Sequence, residues 1–226
     1  SYAGAVYAAH PERFRLVKPV DPTNPGVAET IADWAPRDGV VGIRIMLSRG
    51  VSGDPNDPGV SRVLTAAAHH GLPVNLSCKG RLGLVAELAA RNPQTRLVVD
   101  HLGLTQPHHP PVPAEPFAEL PALLNLARYN NVAVKISGAC TLSHESFPFN
   151  DLWDPLSRVY DAFGFDRCMW GTDWTRAINM VTYEQGVASF RMTDRLSDGE
   201  RADLMGGTLQ KIYNWSDMKL CVEPRF

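Results

Sequence analysis

Two short apolar runs of this sequence end in side chains that could bind a metal ion or move a proton. RLVVDHLG places Asp100 and His101 near its end, and CMWGTDW contains Asp173. Carboxylate and imidazole groups serve as general bases and as ligands of divalent metals. We therefore predict that Asp173 and His101 share one catalytic site. The alternatives are a helix N-cap for Asp173 and a structural histidine.

Two arginines and a serine are candidates for binding a substrate. Arg44 lies among the apolar residues of GIRIML, and Arg49 follows just beyond that run. An arginine among strand apolars must be ion-paired or bind an anion, so the two could clamp a carboxylate. An internal salt bridge is the alternative for Arg44. Ser137, in VAVKISG, could hydrogen-bond a substrate oxygen or its own turn.

Three other features receive different interpretations. Asp100 is expected to point to the opposite face of its strand from His101, because side chains alternate along a strand, and to have a structural role. Lys135 is interpreted as a member of an ion pair. The proline-rich segment TQPHHPPVPAEP could form a lid over the site.

Strand-like and helix-like segments alternate along the chain. The strand-like runs are near-continuously apolar, which is typical of strands covered on both faces. They are FRLVKPV (14–20), VVGIRIML (40–47), LPVNLSC (72–78), TRLVVDHLG (95–103), NVAVKISG (131–138) and RCMWGTD (167–173). The alternation predicts parallel βαβ units and an α/β barrel with six of eight strands visible. Five polar residues fall near strand ends, where barrel active sites lie: Arg44, Ser77, His101, Ser137 and Asp173.

Composition limits the class of protein. The chain has 226 residues, 44% of them hydrophobic and 20% charged, a net charge of −2 and a pI of about 6.4. Such a composition predicts a globular protein whose partner is a small molecule, not nucleic acid or a membrane. The four cysteines form no C-x-x-C pair, so we expect free thiols and a cytoplasmic location.

The motifs VVDHLG and MWGTDW resemble the amidohydrolase superfamily, in particular its amidohydrolase-related branch of lactonases and decarboxylases. HPERFRLVKPVDP, GIRIML, HGLPVNL and NVAVKISG support the resemblance over nearly the whole chain. It implies a distorted (β/α)₈ TIM barrel. His101 corresponds to the histidine that ends the sixth strand, and Asp173 to the eighth-strand aspartate that binds metal or activates water. Arg44 and Arg49 correspond to arginines that hold substrate carboxylates in pyrone-dicarboxylate lactonase-like members.

The sequence also departs from the family pattern. The D-x-H-x-H motif of the first family strand is absent, so we expect residues 1–226 to form a single barrel domain that lacks strands 1 and 2 and contains strands 3–8. NLSCKG lacks the histidine of metal-dependent decarboxylases, which favours a lactonase. SGACTLSH lacks the acidic residue and arginine that we associate with the pyrone-dicarboxylate enzyme.

Together these features predict a hydrolase that opens a lactone or related cyclic ester of a small, carboxylate-bearing organic acid in catabolism. Asp173 would activate water. With an upstream H-x-H motif, Asp173 and His101 could also bind a divalent metal such as Zn or Mn. A metal-dependent decarboxylase and an inactive barrel that serves as a binding subunit are the alternatives. The resemblance also allows a homo-oligomer.

Overall fold

The computed structural model describes residues 1–47 and 51–215, and within them six strands form one parallel sheet. The strands are β1 (Leu16–Pro19), β2 (Val40–Ile45), β3 (Val74–Leu76), β4 (Leu97–Val99), β5 (Val132–Ser137) and β6 (Cys168–Gly171). They pair in chain order, β1-β2-β3-β4-β5-β6, so each strand neighbours the next along the chain. All six strands predicted from the apolar runs are confirmed, with shorter bounds.

Helices connect the strands and follow the last one. Before β6 these are α1 (Tyr2–Ala9), α2 (Val27–Trp34), α3 (Pro58–His69), α4 (Leu82–Arg91), α5 (Leu120–Leu124) and α6 (Trp153–Phe163). After β6 they are α7 (Trp174–Ala177), α8 (Tyr183–Arg191), α9 (Asp198–Ala202) and α10 (Thr208–Ile212). None of the helices in the described part of the chain is long and apolar enough to cross a membrane.

The sheet curls so that its two faces have different surroundings. The outer face carries the fully buried side chains of Ile43, Leu76 and Val99, which belong to the main core under the helices. The inner face carries the residues that alternate with these along the strands. Val98 is one of them and belongs to a second, smaller hydrophobic cluster. Alternation therefore sends one set of side chains to the helices and the other into the curl.

The C-terminal segment packs into the inside of the curl. Tyr213 is 6% exposed and clusters with Val98, Ala133 and Met169 from three strands. Its phenol donates a hydrogen bond to Oδ1 of Asn75. This segment thus covers part of the inner face that would otherwise be open.

The predicted (β/α)₈ barrel is observed only in part. The described residues form six parallel strands in a curled half-barrel, and an eight-stranded closed barrel is not seen among them. Parallel pairing in chain order and the helical outer layer are the features that the half-barrel shares with a TIM barrel.

Candidate active site

His101, Asp173 and Ser137 meet at the carboxyl ends of β4, β5 and β6. Nδ1 of His101 lies 2.8 Å from Oγ of Ser137 and 3.3 Å from Oδ2 of Asp173. The side chains of His101 and Asp173 are 25% and 16% exposed. The fold thus brings together both predicted catalytic residues and one predicted substrate-binding residue, although they are far apart in sequence.

Left-handed backbone conformations set the directions of the His101 and Asp173 side chains. His101 has φ +55°, Leu102 has φ +61° and Asp173 has φ +48°. Such values are uncommon for residues other than glycine and cost about 1–2 kcal/mol each. Strain of this kind is found at functional sites that the surrounding structure holds in place.

The observed position of the Asp100 side chain contradicts the prediction that it points to the opposite face from His101. The Asp100 side chain is 3% exposed, and it lines the interior cavity together with His101. Alternation after Val98 places Asp100 on the inner face, and the left-handed turn at His101 then brings the next side chain back to the same side. The prediction was wrong because it assumed that the strand continues through His101.

Asp100 lies between two cations. Its Oδ2 is 2.8 Å from Nε of Arg44, and its Oδ1 is 3.1 Å from Nζ of Lys135. The contact with Arg44 is an ion pair and lacks the alignment of a hydrogen bond. The ion pair predicted for Lys135 is confirmed, and the internal salt bridge considered for Arg44 is formed. A structural role for Asp100 holds, but with side-chain partners, not backbone ones.

The contact of Arg44 with His101 defines the state of the imidazole. Nη2 of Arg44 lies 3.4 Å from Nε2 of His101. A guanidinium can only donate, so Nε2 must accept and the ring proton must reside on Nδ1. Burial lowers the pKa of His101 below its usual 6.5, although the carboxylates of Asp173 and Asp100 oppose this shift. The neutral imidazole therefore donates from Nδ1 towards Ser137 and Asp173.

Two residues at this site were not predicted from the sequence. Nε of Arg176 lies 2.6 Å from Oδ2 of Asp173, and its side chain is only 11% exposed. Arg176 also bonds Oε1 of Gln106, whose Nε2 donates to the backbone oxygens of His101 and Ser137. The three-residue spacing of Asp173 and Arg176 on one helical turn was the available signal.

The first residues of the proline-rich segment form hydrogen bonds with this network. Nη1 of Arg176 donates to the carbonyl oxygen of Pro107 at 3.3 Å. His108 is exposed and lines the cavity at the mouth of the half-barrel. The segment thus lies beside the site, as expected for a lid. Arg49, the remaining predicted substrate-binding residue, lies outside the described residues.

Comparisons with known proteins agree on one family. The amidohydrolase family profile matches residues 1–215. This chain belongs to the amidohydrolase family. An L-fucono-1,5-lactonase of Burkholderia ambifaria is 34% identical over 139 residues, which are 59% of this chain and 45% of the lactonase. The chain thus spans less than half the length of this curated relative.

Solved structures show the same amidohydrolase fold. An amidohydrolase from Burkholderia multivorans with bound Zn has a TM-score of 0.79 and 23% identity, over 94% of this chain and 78% of that one. A Pseudomonas putida protein described as a 2-pyrone-4,6-dicarboxylic acid hydrolase has a TM-score of 0.72 and 24% identity, over 95% and 77%. Decarboxylases share the fold at 16% identity or less.

The residues described here do not fit a metal ion, although one amidohydrolase neighbour binds Zn. Within 1–47 and 51–215, no group of three or more His, Cys, Asp or Glu side chains could hold one. His101 and Asp173 are two ligands at most. In addition, the guanidinium of Arg44 faces Nε2 of His101, and that of Arg176 faces Oδ2 of Asp173. These positive groups repel a cation at Nε2 of His101 and at Oδ2 of Asp173, which leaves Oδ1 of Asp173 as a single ligand.

Proposed function

We propose that this amidohydrolase hydrolyses a lactone or related cyclic ester of a small, carboxylate-bearing organic acid. The observation that carries the proposal is the contact between His101 and Asp173 at the carboxyl ends of the strands, with one carboxylate oxygen left available. The lactonase named among the relatives supports ester hydrolysis in place of another amidohydrolase reaction.

Asp173 is the general base of the proposed reaction. Its Oδ2 is held by Arg176 and His101, whereas Oδ1 has no hydrogen-bond partner among the described residues. Asp173 also lines the mouth cavity, so Oδ1 can take a proton from a water molecule there. The same oxygen then passes the proton to the leaving alkoxide when the ring opens.

The neighbouring residues orient and stabilise the reacting groups. His101 remains neutral and, through its Nδ1 proton, orients Asp173 and Ser137. Ser137 can hydrogen-bond the substrate, and Arg44 and Arg49 supply positive charge for its carboxylate. Positive charge fixed near the carbonyl also stabilises the oxyanion that forms when water attacks.

A direct assay separates this function from its alternatives. The purified protein is incubated with five- and six-membered lactones that bear a carboxylate, and acid release and carbon dioxide are both measured. We expect acid release without carbon dioxide. Release of carbon dioxide from an aromatic carboxylate would support a decarboxylase. A folded protein that binds these lactones without turnover would support the binding subunit.

A substitution at Gly138 tests whether the position of Arg176 matters for this reaction. Gly138 has φ +69°, and a Cβ atom there would collide with Nη2 of Arg176 and Oε1 of Gln106. We expect Gly138→Ala to lower kcat for lactone hydrolysis at least about tenfold, because the displaced guanidinium no longer holds Asp173.

Gly71→Ala is the matched control for this substitution. Gly71 has φ +65°, and no atom lies within 4 Å of the position that an added Cβ would take, so the variant carries the strain without the collision. Both variants should lose about 1–2 kcal/mol of unfolding free energy from the left-handed backbone. Equal kcat values in the two variants would show that the position of Arg176 has no effect on the reaction.

A further inference from the structure

The mouth of the half-barrel contains a cation that no carboxylate of the described residues neutralises. The cavity there is lined by residues from adjacent strand ends, among them Arg44, Ser77, Lys79, His101 and Asp173. Lys79 is exposed to this cavity, and its ammonium group has no hydrogen-bond or ion-pair partner among the described residues. The other two cations, Arg44 and Arg176, are paired with Asp100 and Asp173.

Arg44 by itself is a poor receptor for a substrate carboxylate. Its Nε contacts Asp100 and its Nη2 contacts His101, so only Nη1 lacks a partner among the described residues. A carboxylate prefers two parallel N–H donors from a guanidinium. The binding of an anion beside Arg44 therefore requires donors from a neighbouring segment.

The segment that follows β3 provides such donors next to Arg44. Arg44 pairs in register with Asn75, and the backbone N–H of Ser77 donates to Ile45. Asn75 lies on the inner face, and Ser77 and Lys79 follow it at intervals of two residues. β3 ends at Leu76, and Ser77 and Lys79 line the mouth cavity from the segment that follows it, so polar side chains continue from the interior to the mouth. The hydroxyl of Ser77, like the ammonium of Lys79, has no partner among the described residues.

We propose that Lys79 and Ser77, together with Nη1 of Arg44, form the subsite for the carboxylate of the substrate. This inference rests on the proposed function and names the group by which the substrate is selected. Lys79, Ser77 and Arg44 line the same mouth cavity as His101, so the carboxylate lies close to the reacting ring. The preferred substrate is thus a compact lactone with one carboxylate near the ring.

The test compares a carboxylate-bearing lactone with its primary amide, which has nearly the same shape but no charge. We expect Lys79→Met to raise KM for the acid about tenfold or more, the effect of losing one charge-assisted hydrogen bond. KM for the amide and kcat for both compounds should change less than about threefold. Lys79→Arg should retain most of the preference for the acid, because it restores a cation.

Arg62→Met is the control for loss of one positive charge. Arg62 lies exposed on α3 and outside the mouth cavity, so its loss changes net charge by the same amount without altering the subsite. If Lys79→Met affects the acid and the amide equally, or has no more effect than Arg62→Met, the subsite does not exist.

A binding experiment keeps the subsite separate from the catalytic proposal. If the wild-type protein hydrolyses neither lactone, the carboxylate-bearing lactone and its amide are themselves titrated into the ¹⁵N-labelled protein. Shifts near Ser77 that require the carboxylate and vanish in Lys79→Met would support the subsite even though lactone hydrolysis has failed. Absence of such shifts would overturn it.

Discussion

Replacement of Asp173 by asparagine is expected to abolish lactone hydrolysis while substrate binding is retained. The amide has the size of the carboxylate but cannot accept the proton of the attacking water. A general base typically raises the reaction rate on the order of 10²–10⁴-fold, so kcat should decrease by a factor in that range. KM should stay within about threefold, because the proposed carboxylate subsite lies on other strands.

A second aspartate serves as the control for this substitution. Asp194 is 98% exposed, and Asp194→Asn removes the same charge from the protein surface. Its kcat should equal that of the wild type. Thermal unfolding of Asp173→Asn must also be measured, because Arg176 loses its charged partner in this variant. A folded Asp173→Asn protein with more than a tenth of wild-type kcat would refute the assignment of Asp173 as the base.

Replacement of Asp100 by asparagine is expected to destabilise the protein by about 3–5 kcal/mol. The carboxylate is 3% exposed and contacts the cations of Arg44 and Lys135. Removal of one member of a buried ion pair leaves its partners charged and uncompensated, which is the costly case. Burial alone would lower the pKa of Lys135, but the hydrogen bonds to Tyr213 and Asp100 and the negative charge of Asp100 raise it above its usual value, so the ammonium persists.

Urea denaturation measures this effect against a surface pair of the same chemistry. Lys211 and Asp203 are also 3.1 Å apart, but their side chains are 64% and 41% exposed. Asp203→Asn should cost no more than about 1 kcal/mol. The double variant Asp100→Asn/Lys135→Met should recover part of the loss, because one unpaired cation is gone. A cost for Asp100→Asn as small as that for Asp203→Asn would contradict the proposed charge cluster.

The outer shell of the fold could be predicted from local sequence patterns. Each strand buries one face under helices, and its apolar run is visible without knowledge of its neighbours. Helix α8 follows the last strand-like run, and Thr182 and Gln185 carry the spacing of a capping box, which the structure contains. That signal was present in the sequence and could have located the helix.

The candidate site was predictable in part. His101, Ser137 and Asp173 were identified because each lies at the end of a strand-like run, and parallel strands in chain order bring such ends together. Arg176 was not identified despite its three-residue spacing from Asp173, and Gln106 was not identified because it contacts Arg176 from 70 positions away and lies in an irregular segment. No local pattern indicates such a contact.

The sequence by itself determined which residues stand at the strand ends, because hydrophobic period and strand length are local properties of the chain. Tertiary structure decided how those residues are used. The left-handed turn at His101 placed Asp100 and His101 on the same side of the sheet, against the rule of alternation. Strand pairing placed Asp100 against Arg44, whereas Lys79 at the mouth has no ion-pair partner among the described residues. Charge pairing across strands depends on register and backbone angles, which composition and spacing do not specify.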